Sequence, residues 1–106
     1  MLVDNEWHIL CNKVEHALSI MLHNVTNISH TDNVVKYDCH TRFIPTQTIT
    51  VFNRSEISEF NEYSYYITFK FKTQYFVVTD YIIIAVQSLP SDIYSLIASA
   101  YKHMIN

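Results

Sequence analysis

The chain contains no glycine in 106 residues. Glycine alone tolerates positive φ without a side-chain clash, so turns, bulges and close approaches of backbone to phosphate normally rely on it. Its absence excludes a Walker A loop, a GxGxxG dinucleotide fingerprint, a GxSxG nucleophile elbow and an EF-hand of ordinary sequence. Scarce Ala, Arg and Pro beside abundant Ile, Asn, Tyr and Phe is the residue usage of a gene rich in A+T, as found in some phages, plasmids and bacteria.

The length allows one compact domain, residues 1–106, and burial of roughly two thirds of the unfolded surface, enough for a core without disulfides or metal. A formal charge of −3 argues against affinity drawn mainly from duplex phosphates. The segment Met1–Leu10 has two acids, Asp4 and Glu6, and no basic residue, which does not match a secretory leader, and the strongly apolar run Tyr81–Val86 is too short to span a bilayer. A cytoplasmic location is expected, with Cys11 and Cys39 as free thiols rather than a disulfide or zinc site.

Trp7, Leu10, Val14, Ala17, Leu18, Met21 and Val25 recur at steps of three and four, predicting an amphipathic helix from Asp4 to about Asn24 with Asp4 as N-cap. Asn27–Asn33 is polar and reads as a loop. Alternation then predicts strands over Val35–Phe43, Thr46–Asn53, Tyr63–Lys72 and Tyr75–Val86, with a longer or bulged turn at Thr73-Gln74 because no Asn-Gly pair is available. The last strand is apolar on both faces, which fits a central strand or a homodimer contact. Ser88–Asp92 opens a closing helix, along which Ile93, Leu96, Ile97, Ala100, Tyr101 and Met104 form a stripe.

The expected fold is a two-layer α+β sandwich in the order α-β-β-β-β-α, a four-stranded antiparallel meander with both helices on one face. This order resembles the double-stranded RNA-binding domain, which runs helix, three strands, helix. The lysine-rich start of that family's second helix is replaced here by Ser88, Leu89, Pro90, Ser91 and Asp92, so RNA binding does not follow from the likeness.

Catalytic and metal chemistry find little footing. His16 and His23 lie seven residues apart, about 10 Å along a helix, too far to share one ion. Asp38 and His40 fall on one side of a strand, but Cys39 points away and no Ser sits on an elbow, so a surface ion pair is the simpler reading. No catalytic residue, metal or cofactor is expected. The most suggestive polar cluster is Glu56, Glu59 and Glu62, whose spacing of three would stack carboxylates at about 5–6 Å if Ser55 capped a helical turn. Eight tyrosines and six phenylalanines are the other signal, and a sheet face left open by the helices would expose Tyr66, Phe52 and Thr68 as an aromatic patch.

A short, glycine-free, AT-coded domain without catalytic motifs resembles in style the small phage and mobile-element proteins that inhibit host machinery, anti-CRISPR proteins among them. The reading taken forward is a non-enzymatic protein-binding module that occludes a basic nucleic-acid-binding surface, with Glu56, Glu59 and Glu62 replacing phosphates and Phe52, Tyr66 and Lys70 completing the contact. The alternatives are a single-stranded nucleic-acid or small-ligand binder using the open aromatic face with Lys36, Lys70 and Lys72, a small enzyme built on Asp38 and His40, and a small chaperone. Direct nucleic-acid binding and membrane association are not expected.

Overall fold

A computed structural model describes residues 2–21, 25–39 and 48–105. Its elements are helix α1 (Asp4–Met21), strands β1 (Val25–His30), β2 (Val34–Cys39) and β3 (Thr48–Asn53), a single 3-10 turn (Arg54–Glu56), strands β4 (Ile57–Glu62), β5 (Tyr66–Phe71), β6 (Gln74–Thr79) and β7 (Ile83–Val86), and helix α2 (Ile93–Ile105). The α+β class and the four-stranded antiparallel meander are present, as the sheet β4-β5-β6-β7; a second antiparallel sheet, β1-β2-β3, stands beside it.

Helix α1 forms for the reason its periodicity gives. Trp7, Leu10, Cys11, Val14, Ala17 and Leu18 are all buried, whereas His8, Asn12, His16 and Ser19 face solvent. Its cap differs from the expectation. The Val3 carbonyl accepts the Trp7 N–H at 3.0 Å and the Val3 N–H donates to Glu6 Oε1 at 3.2 Å, so Val3 is the N-cap and Glu6 supplies the carboxylate half of a capping box. Asp4, one residue inside, is taken instead by Arg54, whose Nη2 donates to Asp4 Oδ1 at 2.8 Å.

Arg54 ties three segments together. Its Nε and Nη2 donate to the Leu2 carbonyl at 3.1 and 2.6 Å, its Nη1 donates to the Asp32 carbonyl at 3.0 Å, and its guanidinium lies 5.9 Å from the Trp7 ring centroid. Trp7 Nε1 in turn donates to the Thr31 carbonyl at 2.9 Å. The start of α1, the β1–β2 turn and the link between the sheets are thereby fixed to one another.

The core lies between α1 and both sheets. Val35 and Phe52 enter it from the first sheet, Ile57, Ile67, Phe69 and Val78 from the second. Phe52 presents its ring edge-on to Phe69, Phe71 and Phe76 at 5.7, 5.1 and 5.2 Å, so one side chain joins the two sheets. This corrects the placement of Phe52 on an open aromatic face: it is 1 % exposed.

Strand alternation puts Ile67, Phe69 and Val78 toward α1 and Tyr66, Thr68, Val77 and Thr79 on the reverse face. Helix α2 covers that reverse face at its Tyr66 end, where the Tyr94 ring meets Tyr66 at 5.8 Å and 87°. The two helices therefore lie on opposite faces of the sheet rather than sharing one, and the patch of Tyr66 and Thr68 is buried instead of open. The segment Tyr75–Val86 is not one strand but the β6–β7 hairpin, folded at Asp80-Tyr81-Ile82. Val77, Val78 and Thr79 of β6 are buried on both faces of that strand, whereas β7 is the outer strand of the sheet and its residues are half-buried or exposed.

Two further strands were not expected. The polar stretch read as a loop is largely β1, paired antiparallel with β2 at the sheet edge. The stretch holding the three glutamates is a 3-10 turn followed by β4, paired with β5, rather than a helical turn capped by Ser55. The expected strand ends over His40, Arg42, Phe43 and Pro45 fall outside the described residues.

Candidate binding cleft

The acidic row does not assemble as the spacing suggested. Glu56 closes the 3-10 turn, where its Oε1 accepts the Asn53 side-chain amide at 2.9 Å and its Oε2 lies 3.8 Å from Lys72 Nζ. Glu59 sits in β4 at φ 52°, accepts the Tyr75 hydroxyl at 3.1 Å on Oε2 and lies 3.8 Å from Lys70 Nζ. Glu62 ends β4 and is exposed. Because Glu56 ends the 3-10 turn and Glu59 and Glu62 lie along a bulged strand, the three carboxylates are not stacked as on a helix, and two of them face lysines of the neighbouring hairpin. Lys70 also lies 5.2 Å from the Tyr75 ring centroid, and Lys72 5.3 Å from that of Phe71.

Among the described residues, the groups weighed for catalysis lie apart from one another. Cys11 is buried and its thiol is pushed up to about 12 by burial first and by the nearby Glu15 carboxylate second, which keeps it protonated and unreactive at neutral pH. His30 contacts Glu15 through Nδ1, an ion pair when the imidazole is protonated. His16 borders a shallow groove of about 510 Å³ with Ile9, Asn12, Lys13 and Asp80, across which Lys13 and Asp80 pair at 3.0 Å. Among the described residues no group of three His, Cys, Asp or Glu side chains is placed to hold a metal ion. Of the expected Asp38–His40 pair, His40 is outside the described residues and the Asp38 side chain is not described.

The arrangement best suited to binding lies at the other end of the sheet. Tyr65 and Tyr66 at the start of β5, Thr79 and Tyr81 at the β6–β7 turn, and Tyr94 and Ile97 on α2 line a cleft of about 290 Å³ whose wall is almost entirely carbon. Tyr66 forms its floor, 6 % exposed, with Tyr63 stacked against it at 4.6 Å and 21°. Burial, followed by the Tyr94 and Tyr63 hydroxyls, raises the Tyr66 pKa above the usual phenol value, so the ring stays neutral. The rim is open: Tyr65 is 72 % and Tyr94 64 % exposed, and Tyr81 packs against Tyr101 at 5.8 Å.

Local chemistry sets these rings in place. Thr79 Oγ1 accepts the N–H groups of Tyr81 and Ile82 at 3.0 and 3.1 Å, fixing the turn that presents Tyr81. Asp92 caps α2, its Oδ1 accepting the Ser95 N–H at 3.2 Å and its Oδ2 the Ser95 hydroxyl at 2.6 Å, which sets where Tyr94 leaves the helix. Of the candidate site residues read from the sequence, Tyr66 alone belongs to this cleft; Tyr65, Thr79, Tyr81, Tyr94 and Ile97 are not among them. A signal was present: Tyr94, Ile97 and Tyr101 are spaced three and four apart and so share one face of α2.

The cleft holds no basic residue. Lys70 and Lys72 stand at the opposite end of the β5–β6 hairpin, and Lys36 lies in the other sheet, so the three lysines expected to serve an aromatic face do not border this cleft. No helix among the described residues is long and apolar enough to cross a membrane. No protein-family model, no curated protein and no solved structure matches this chain.

Proposed function

We propose that this chain is a non-enzymatic binding module, acting in the cytoplasm, that receives a protein partner at the tyrosine-lined cleft between α2 and the second sheet. The observation that carries this reading is the convergence of Tyr65, Tyr66, Tyr81 and Tyr94 from three separate stretches of chain on one open cleft. Tyrosine gives large, rigid contact area at small entropic cost and is enriched where proteins meet. A core would bury such rings; here the rim is left in solvent.

A single-stranded nucleic acid is less favoured, since stacking platforms work together with a basic groove and this one has none. Occlusion of a basic host surface by Glu56, Glu59 and Glu62, the inhibitory mode known from phage proteins, is less favoured too, because Lys72 and Lys70 face two of the three carboxylates. If the chain is an inhibitor, it acts through the tyrosines.

Affinity capture from the source cells tests this. The double variant Tyr65→Ala/Tyr94→Ala should lose a specific protein by tenfold or more relative to the parent chain, while Glu59→Lys/Glu62→Lys retains it. Both tyrosines are exposed, so a matched thermal melt is expected for each bait. Undiminished capture by the tyrosine variant would contradict the proposal.

A further inference from the structure

We infer that the cleft of Tyr65, Tyr66, Tyr81 and Tyr94 is a site for a quaternary ammonium group, carried by a trimethylated lysine side chain or by choline. The inference rests on the reading of this cleft as a binding site and names the chemistry that enters it. Four aromatic rings border about 290 Å³, with Ile97 and Thr79 completing the wall. The Tyr66 and Tyr94 rings stand at 87° to each other, so the cleft has walls at right angles rather than a single flat stacking surface. Rings set at right angles bound a compact cation from more than one side, and a ring face turned toward it attracts it through its quadrupole.

The chemistry of the wall selects further. Its surface is almost entirely carbon, and the polar atom of Thr79 is already engaged by two backbone N–H groups. A primary ammonium carries N–H donors that this wall cannot accept, and an anion or sugar needs donors that it does not offer. A trimethylammonium group has methyl groups in place of N–H, so no donor is left unpaired on entry, and attraction to the rings offsets the hydration that its charge gives up. Lys, Arg and His are absent from the lining, so no fixed positive charge opposes it, and the chain's formal charge of −3 favours its approach.

Titrations of tyrosine-labelled protein by NMR separate charge from shape. Choline and its neutral carbon isostere, 3,3-dimethylbutan-1-ol, have the same outline, and choline should bind roughly five- to thirty-fold more tightly. Tyr94→Leu should erase that preference and Tyr94→Phe should keep it. A peptide bearing trimethyllysine, set against the same peptide with unmodified lysine, and phosphocholine identify the source. Tighter binding of the methylated peptide points to a modified protein, tighter binding of choline or phosphocholine to a small molecule, and either supports the shared chemistry.

Equal binding of choline and its isostere overturns the inference but leaves the cleft a binding site. No saturable shift with any cation also overturns it; if the Tyr65→Ala/Tyr94→Ala chain still loses its captured partner, the proposed function stands without it.

Discussion

Threonine hydroxyls take the role that glycine usually plays in two of the turns. At the β1–β2 turn Thr31 Oγ1 accepts the N–H groups of Asn33 and Val34, both at 3.2 Å, and at the β6–β7 turn Thr79 Oγ1 accepts those of Tyr81 and Ile82. Each turn is also closed by a backbone pair, Thr31 N to Val34 O and Thr79 N to Ile82 O. The sequence at both is Thr-Asp followed by two residues, a pattern visible beforehand but without a glycine to mark it. Thr31→Val should destabilise the fold by about 1–2 kcal/mol in urea unfolding, with Thr31→Ser retaining most of it. Thr68 predicts the reverse: its Oγ1 is buried and finds no hydrogen-bond partner among the described residues, so Thr68→Val should raise stability by about 1 kcal/mol. Where side-chain capping does not suffice, the backbone is strained. Lys72, first residue of the two-residue β5–β6 turn, adopts φ 56°, and Lys72→Gly should stabilise by roughly 0.5–1 kcal/mol.

At the scale of elements, the two misread strands have distinct physical causes. Strand β1 lies at a sheet edge, where polar residues serve solubility and no alternating pattern is imposed, so Val25–His30 resembles a loop in composition. In β4 the register shifts between Ser58 and Asn61, where Glu59 adopts φ 52°. That bulge inserts one residue, so Ile57 and Phe60 both reach the core although they are three apart, and a bulged strand shows the spacing of a helix. Helix α1 was legible because six buried side chains fix its phase. Helix α2 was legible as a helix but not in its place, since every residue from Ile93 to Lys102 is half-buried or exposed. Its cap responds to pH. The Ser95 side chain, then its backbone N–H, holds the Asp92 carboxyl below the usual carboxylate range. The cap thus contributes fully above the ordinary carboxylate pKa and is lost as pH falls through the depressed value. Protection of the Ser95 and Leu96 amides, taken as their exchange relative to the unstructured rate at the same pH, should fall in acid ahead of global unfolding; protection that follows only the global transition would contradict this.

On the scale of the whole molecule, two sheets meet at Phe52 and are locked at one corner by Arg54 and Trp7. Phe52→Ala should cost about 3–5 kcal/mol by thermal or urea denaturation, because it removes the ring shared by Phe69, Phe71 and Phe76. The α+β class, both helices and the central hairpin strands follow from periodicity alone. The cleft does not, because it depends on which face of the sheet α2 covers, and an apolar stripe on a helix is equally compatible with either face. Once α2 lies opposite α1, four scattered tyrosines line one cleft. Photo-crosslinking tests that account most directly: a photoreactive amino acid is placed at Tyr65, at Tyr94 and, for comparison, at Glu56, which lies at the far end of the β4–β5 pair. The account predicts one and the same protein adduct from positions 65 and 94 and none from 56; adducts from 56 alone would contradict it.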